Sequence, residues 1–316
     1  MKPIYAGSYK SRKPGRWKVV FVVIVLLHLV GVGAYLIISK PSNKETLPPD
    51  TEVAAVPAVA PAPAPLDAMP SLPVASASSP DSQALVSAAK ASMEGGRLLD
   101  AKITLEQLVA THPDAEAIQL LGEVNMQLLK SPLLMPGKEY YAIQSGDYLQ
   151  KIAKKFNTTV ALLKAMNGLE TDTIRLGDRM LVYNSHFSIR VSKSRNELDL
   201  LMNGTLFKRY SVGTGKFGKT PAVEFSIMDK IIEPPWTRPS DNRQIEYGDP
   251  ENVLGTRWMA IKSADHPELT GFGTHGTWQR DSIGTQSSAG CVRMLNEDVE
   301  ELFDLVPRKA SVIISE

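Results

Sequence analysis

Ten of the chain's 22 prolines fall between Pro41 and Pro80, among alanine, valine and serine and without one aromatic side chain. Proline lacks the backbone donor, and its ring clashes inside a helix, so no regular helix runs through such a tract. Without aromatics it also has nothing to build a core on. The tract, residues 39–80, reads as a semi-extended linker rising ~3.1 Å per residue in its proline-rich parts, at most roughly 120 Å in all. It divides the 316-residue chain into a short amino-terminal piece and a longer carboxy-terminal part. At ~150 residues per domain the whole length suits about two compact domains plus extras.

Residues 1–18 form a basic tail in which Lys10, Arg12, Lys13, Arg16 and Lys18 cluster. The run from Val19 to Ile38 that follows contains His28 and no formally charged residue. Its length matches the roughly 20 residues a helix needs to cross a bilayer. A basic flank stays on the cytoplasmic side, so the expected orientation is amino terminus inside and everything beyond residue 38 outside. A cleaved signal peptide has a shorter apolar core of about 7–15 residues and a small-x-small cleavage site. Ser39-Lys40-Pro41-Ser42 fits that poorly, so the expectation is an uncleaved single-pass anchor. The formal net charge is only +1, which argues against a nucleic-acid partner.

Residues 81–132 change to helical periodicity. Leu98, Ala101, Leu105, Leu108 and Val109 share one face, and Pro113 is read as opening a further helix that carries Ile118, Leu121, Val124 and Leu128. The pattern Gly96, Ala101, Leu105, Leu108, Pro113 resembles part of a tetratricopeptide repeat, but little more than one repeat is visible. Stable arrays need about three. A helical spacer packed on its neighbours is an equally good reading.

The next block runs Tyr141-Ala142-Ile143-Gln144-Ser145-Gly146-Asp147-Tyr148-Leu149, then Ile152-Ala153, Phe156-Asn157-Thr158-Thr159, Leu162-Leu163, Met166-Asn167-Gly168-Leu169 and Ile174 to Val182. Read physically, it is strand, tight turn, helix, helix, turn, strand. Residues 139–183 resemble a LysM domain. That resemblance implies an α+β βααβ fold that binds N-acetylglucosamine-containing glycans in a shallow groove, here lined by Gly146, Asp147, Tyr148, Ile174 and Gly177. Tyr148 stands where that family often has Thr.

Residues 186–316 are read as mostly strands. Ile189, Val191, Leu198, Leu200 and Met202 nearly alternate, and Asn203-Gly204 is a strong hairpin signal leading into a strand from Leu206 to Val212. Val223, Phe225 and Ile227 alternate again. Asn296 is read as the N-cap of one late helix, with Glu297, Asp298 and Glu300 in its first turns, before a last strand from Ser311 to Ser315.

Within this region Gly213-Thr214-Gly215-Lys216-Phe217-Gly218-Lys219-Thr220 satisfies the P-loop expression. A phosphate-binding loop must open a helix at its Lys-Thr end so that amides and dipole face the phosphates. Here Pro221 and a period-two pattern follow, so the segment is read as a connection between strands, and no nucleotide is expected.

The single cysteine, Cys291, has no internal disulfide partner. It lies in Ser288-Ala289-Gly290-Cys291-Val292-Arg293-Met294, and His275 lies sixteen positions upstream in Gly273-Thr274-His275-Gly276-Thr277. A cysteine acyltransferase needs a thiolate, a base that holds its proton, a group that orients the base, and donors for the oxyanion. Cys291 and His275 supply the first two, with a lowered thiol pKa expected from a thiolate–imidazolium pair. The carbonyl of Gly276 is a candidate orienting acceptor, and the amides around Gly290 and Cys291 are candidate oxyanion donors. The aromatic residues Trp236, Tyr247, Trp258 and Trp278 could line a substrate cleft, but packing in the core is the default reading. His112, His186 and His266 show no metal-ligand spacing, and no metal or organic cofactor is expected.

These residues resemble the L,D-transpeptidase catalytic domain of the YkuD family. The likeness rests on His275-Gly276-Thr277, Ser282-Ile283-Gly284 and Ser288 to Met294. Further support comes from Ser211 to Lys216, Thr220-Pro221 and Asn252 to Arg257. It implies a mainly-β sandwich acting on peptidoglycan. On that likeness Cys291 attacks the carbonyl of the third residue of a tetrapeptide stem, and His275 protonates the leaving D-alanine. The acyl group then passes to an amine and forms a cross-link between third residues. Arg293 matches the arginine beside the nucleophile and is expected to position substrate, while Ser288 supports the turn. Ala289 stands where many members carry His, Arg or Lys, and Val223 where Gly is common. Water as acceptor would make the chain an L,D-carboxypeptidase, and a protein lysine would make it a protein-to-wall ligase. A noncatalytic wall-binding anchor is the reading of a different class. The expected partners are peptidoglycan and the inner membrane, with the domains beyond the anchor periplasmic or extracytoplasmic.

Overall fold

A computed structural model describes residues 80–184 and 186–316. The expected tail, membrane span and linker through residue 79 lie outside the described residues. Among those described, no helix is long and apolar enough to cross a membrane.

Three helices come first: α1 (Pro80–Glu94), α2 (Leu98–Thr111) and α3 (Ala115–Lys130). On α2 the predicted stripe is inward, with Ala101, Leu105 and Leu108 buried and Leu98 and Val109 packed against the core. The start of α3 differs from the reading at Pro113. Asp114 is the cap, its carboxylate accepting from the N–H groups of Glu116 (2.9 Å) and Ala117 (3.2 Å). A carboxylate satisfies helix-start donors that proline has no group to reach, so Pro113 stands just outside. Leu121, Val124 and Leu128 of α3 are almost wholly buried, so truncating either leucine to Ala costs about 2–5 kcal/mol.

The LysM-like part is β1 (Lys138–Ala142), α4 (Leu149–Lys155), α5 (Val160–Asn167) and β2 (Arg179–Tyr183). The two strands pair antiparallel from Lys138↔Tyr183 to Ala142↔Arg179. Thr159 caps α5 by accepting from the Leu162 N–H at 3.0 Å, and Gly168, at φ 61°, ends it.

The remainder supplies β3 (Phe187–Ser192), β4 (Glu197–Met202), β5 (Thr205–Ser211), β6 (Thr214–Gly215), β7 (Glu224–Ile232), β8 (Trp236–Thr237), β9 (Gln244–Ile245), β10 (Arg257–Lys262), β11 (Gly273–Thr277), β12 (Gln286–Ser288), β13 (Val292–Leu295), α6 (Asn296–Leu305) and β14 (Ser311–Ser315). Asn203 (φ 51°) and Gly204 (φ 83°) both take positive φ in the β4–β5 turn, as a two-residue type I′ hairpin requires. A sandwich of two sheets was expected. Instead eight strands form one continuous mixed sheet in the order β13-β11-β10-β7-β14-β3-β4-β5. Its two ends meet: just beyond β5, Gly213 exchanges N–H···O bonds of 2.8 Å in both directions with Arg293 of β13. Joining the ends satisfies edge groups that an open sheet would leave unpaired.

The P-loop lookalike follows its structural reading. Thr214–Gly215 is a short strand paired with β12, Lys216–Gly218 is a single 3-10 turn, and no α-helix begins at Lys219.

The helical part is tied to the sheet. The buried Asn125 amide of α3 donates to the Phe207 carbonyl of β5 at 2.9 Å. Gly122 admits the Lys208 side chain so closely that a Cβ there would stand 2.8 Å from its Cγ. The α6 helix packs across β10, β11 and β13 on one side and α5 on the other. Buried residues of the helices, the LysM-like part and the sheet form one contiguous core. The helical segment therefore packs on its neighbours.

Candidate active site

The β11 and β13 strands run parallel, with Thr274 opposite Val292 and His275 opposite Arg293. The same register sets Cys291 beside Gly273. Side chains alternate faces along a strand, so His275, Arg293 and Cys291 lie on one face. His275 and Cys291 open on the same cavity of about 590 Å³, walled by Trp236, Trp258, Phe272 and Arg293. Trp236 and Trp258, read as core, are half-buried cavity walls.

His275 is 3% exposed, and its Nδ1 lies 2.6 Å from the Gly276 carbonyl oxygen. A carbonyl only accepts, so Nδ1 carries the proton and Nε2 keeps its lone pair. The same carbonyl accepts from the Gly255 N–H at 2.9 Å. That approach depends on two glycines, because a Cβ on Gly255 or Gly276 would fall 1.9 or 2.2 Å from Asn296 Oδ1. Asn296 is not the helix cap it was read as. Leu295 holds that position, and Asn296 Oδ1 accepts from the Thr256 N–H at 3.1 Å. The amide is drawn to a donor in the loop before β10, and it clamps that loop against β11. Trp258, paired with His275 across β10 and β11, sets its ring 5.7 Å from the imidazole. A Cβ on Gly273 would stand 2.6 Å from that indole.

Cys291 is half-buried, with Sγ 3.8 Å from the Gly271 carbonyl. The turn before it is held by Ser288, whose hydroxyl donates to the Cys291 carbonyl at 2.7 Å and accepts from the Gly290 N–H at 3.0 Å. Ser288 is 2% exposed, and both hydrogen bonds of its hydroxyl hold the turn. Because Ser288 occupies the Gly290 N–H, that amide is not open to an oxyanion. The Cys291 N–H makes no hydrogen bond among the described residues and is the amide left beside the sulfur. Gly290 itself sits at φ 141°, which favours glycine, with Phe272 and the Lys219 carbonyl where a Cβ would go. Its carbonyl accepts from Thr220 Oγ1 (2.8 Å), which in turn accepts from the Gly215 N–H (2.7 Å). The P-loop lookalike therefore braces the turn before Cys291. Sequence reasoning missed Thr220, Gly273 and Asn296 as site supports and set Trp258 aside as core by default. Only the Thr220-Pro221 pair and the glycines carried any local signal.

The electrostatics depart from the expected ion pair. Burial pushes the Cys291 thiol above its ordinary value, although a Gly273 backbone bond and Arg293 oppose it. Burial pushes His275 down to about 4, against the Gly276 bond and with help from Arg293. Burial disfavours the charged form of both groups. Arg293, its own pKa lowered by burial, lines the cavity and reaches Gln279 Oε1 at 3.4 Å.

In the LysM-like part the Gly177 N–H donates to the Ile143 carbonyl (3.0 Å) and the Ile143 N–H to the Asp178 carbonyl (2.9 Å), joining the two predicted groove loops. Gly146 (φ 77°) and Gly177 (φ 86°) make the turns, Ile174 is half-buried, and Tyr148 is exposed. Asp147 does not present its carboxylate to a groove. It accepts from Tyr141 Oη (2.7 Å) and the Gln144 N–H (2.9 Å) and pairs with Lys151 (3.0 Å), bonds that lower its pKa to about 2. Local donors claim a short acidic side chain at a tight turn.

Residues 186–314 match the L,D-transpeptidase catalytic domain (YkuD), and residues 141–182 match the LysM domain. YkuD of Bacillus subtilis, assigned by name to the L,D-transpeptidases, is 33% identical over 183 residues, covering 55% of this chain and 98% of that protein. The chain belongs to the L,D-transpeptidase family. YqjB of Bacillus subtilis, with the same assignment, is 36% identical over 127 residues, covering 40% of this chain and 69% of its own. Among solved structures, the L,D-transpeptidase from Mycobacterium smegmatis aligns with a TM-score of 0.35 and 16% identity, over 44% of this chain and 64% of that one. This L,D-transpeptidase thus joins a mainly-β catalytic domain to a LysM domain that implies peptidoglycan binding.

Proposed function

We propose that this enzyme cross-links peptidoglycan through an acyl-enzyme on Cys291. The carrying observation is the shared face of His275 and Cys291 over one cavity, with the imidazole tautomer set by the Gly276 carbonyl. In the first step Nε2 takes the thiol proton as Sγ bonds to the carbonyl carbon of the third stem residue. The Cys291 N–H faces the developing oxyanion. Collapse breaks the bond to D-alanine, whose amine receives the proton from His275. In the second step an amine, usually the side chain of another stem, attacks the thioester and gives its proton to His275, which passes it to Sγ as the C–S bond breaks, restoring the thiol and the neutral imidazole. A neutral thiol and imidazole suit this sequence, since proton transfer accompanies attack. Arg293 orients the donor stem. Tyr148 and the turns at Gly146 and Gly177 present the glycan strand, which raises the local concentration of stems near the cleft. The run at 19–38 anchors the enzyme in the inner membrane with its domains in the periplasm or its equivalent, and the linker supplies reach.

The test is incubation with tetrapeptide muropeptides and mass spectrometry of the products. Dimers joined at third residues, absent with Cys291→Ala, are expected. Tripeptide alone points to water as acceptor, and a lysine-linked protein points to ligase action. No Cys291-dependent product leaves a noncatalytic wall anchor.

A further inference from the structure

Between the buried Gly215 and Thr220, the four residues Lys216, Phe217, Gly218 and Lys219 are all exposed. Phe217 is 91% exposed, the barest large apolar side chain among the described residues. Its backbone is left-handed as well, at φ 55° and ψ 37°, with Gly218 next at φ 69°. A bulky side chain seldom takes that conformation, and residues so strained gather at ligand clamps and active sites. With so little of its ring in contact, burial is not what holds Phe217 there.

The base of the tip holds it. The Gly215 N–H and the Gly290 carbonyl share Thr220 Oγ1, and β6 pairs with β12 at Gly215 and Ser288. The Lys219 N–H donates to the Lys216 carbonyl at 3.2 Å and closes the turn. At Gly290 the tip meets the cleft. A Cβ there would stand 2.9 Å from Phe272, a cleft wall, and 3.1 Å from the Lys219 carbonyl oxygen. No residue from Lys216 to Lys219 lines the cavity that holds Cys291. The tip is thus a fixed shelf outside that cavity, beside the turn before Cys291.

Charge narrows what the shelf would take. Neither Lys216 nor Lys219 has an ion-pair partner among the described residues. No carboxylate lines the adjoining cavity, where Arg293 is the only permanently charged residue. Two free ammonium groups flanking a bare aromatic ring complement a ligand with carboxylates and an aliphatic body.

We propose that this tip binds the acceptor stem, the peptide whose amine attacks the thioester on Cys291. Lys216 and Lys219 pair with its carboxylates, and Phe217 packs along its aliphatic part, so that the amine reaches the thioester from the Gly290 side. The donor stem occupies the cavity with Arg293. The amine nitrogen bonds to the thioester carbon, the C–S bond breaks, and the proton returns to sulfur through His275. The acceptor role rests on the proposed cross-linking; the preference for a carboxylate-bearing ligand does not.

The test uses the full chain with two peptides. The donor is a tetrapeptide whose side-chain amine is acetylated, and the acceptor is a stem tripeptide, which has no D-alanine to lose. Release of D-alanine in the first turnover reads acylation, and dimer formation reads transfer. Lys216→Glu with Lys219→Glu, and separately Phe217→Gly, are expected to raise the acceptor KM about tenfold with first-turnover release unchanged, the mark of lost acceptor binding. Glycine also relieves the left-handed backbone, so a loss in Phe217→Gly is not instability. Lys216→Arg with Lys219→Arg is expected to keep the acceptor KM. Amidating the acceptor's carboxylates is expected to raise KM for the unmodified chain and to erase its difference from the glutamate variant. An unmoved acceptor KM in the glutamate variant overturns the assignment, as does D-alanine release that falls in step with transfer. Phosphatidylglycerol vesicles bound through the two lysines, with acceptor KM unmoved, would give the tip to a lipid surface instead. A chain that releases no D-alanine, or makes no dimer, fails the cross-linking reading and the acceptor role with it; dimers with acceptor KM unmoved fail the acceptor role alone.

Discussion

The imidazole of His275 is oriented by its own chain neighbour: Nδ1 lies 2.6 Å from the carbonyl oxygen of Gly276. No carboxylate takes part, so the base keeps its tautomer without the field of an acid that would raise its pKa. Burial then wins, and His275 is held near 4.

That shift couples folding to pH. Between 6.5 and about 4 the unfolded chain binds a proton that the folded chain refuses, so stability rises with pH through this window and is lost as pH falls through it. The contribution is about 3 kcal/mol at most. Chemical denaturation between pH 7 and 4 is expected to show this loss, and His275→Gln to flatten it. Equal slopes for the two proteins would remove His275 as the cause.

Cys291 is expected to react as a raised-pKa thiol. Its alkylation by iodoacetamide should keep climbing above pH 9. A plateau already reached near pH 6 would instead indicate a resting thiolate–imidazolium pair.

Thr220→Val keeps the side-chain shape but strips the hydroxyl from between the Gly215 N–H and the Gly290 carbonyl, both buried. Two unsatisfied groups cost about 1–3 kcal/mol each. A loss of at least tenfold in kcat is expected as the turn before Cys291 loosens, with Thr220→Ser close to wild type. Thermal denaturation and product formation measured side by side check this, and wild-type values for Thr220→Val would refute it.

Gly273→Ala drives a methyl group into the Trp258 ring and the Met259 carbonyl, at 2.6 and 2.7 Å. Overpacking of this kind costs about 1–3 kcal/mol. Because Trp258 flanks His275, kcat is expected to fall more than KM changes. Unaltered kinetics with unaltered Tm would show that β10 and β11 shift apart freely.

Much was legible in the order of residues because it depends on neighbours a few positions apart. The βααβ periodicity of residues 139–183, the Asn203-Gly204 hairpin and the strand from Ser311 to Ser315 are of this kind. So is the rejection of the P-loop, which turned on Pro221 and the period-two pattern beyond it. Cys291 and His275 stood out through residue type and glycine-rich setting. Errors arose where a polar side chain had two possible clients. Asp147 was assigned to a groove but serves its own turn, and Asn296 was assigned to a helix start but clamps a strand.

Three-dimensional packing alone settled the closure of the sheet at Gly213 and Arg293, the bracing of Gly290 by Thr220, and the burial that opposes charge on Cys291 and His275. Each depends on groups far apart in the chain meeting out of water. Local pattern encodes which residues can turn, cap or alternate; the meeting of distant elements decides which hydrogen bonds are left over and how strongly burial opposes charge.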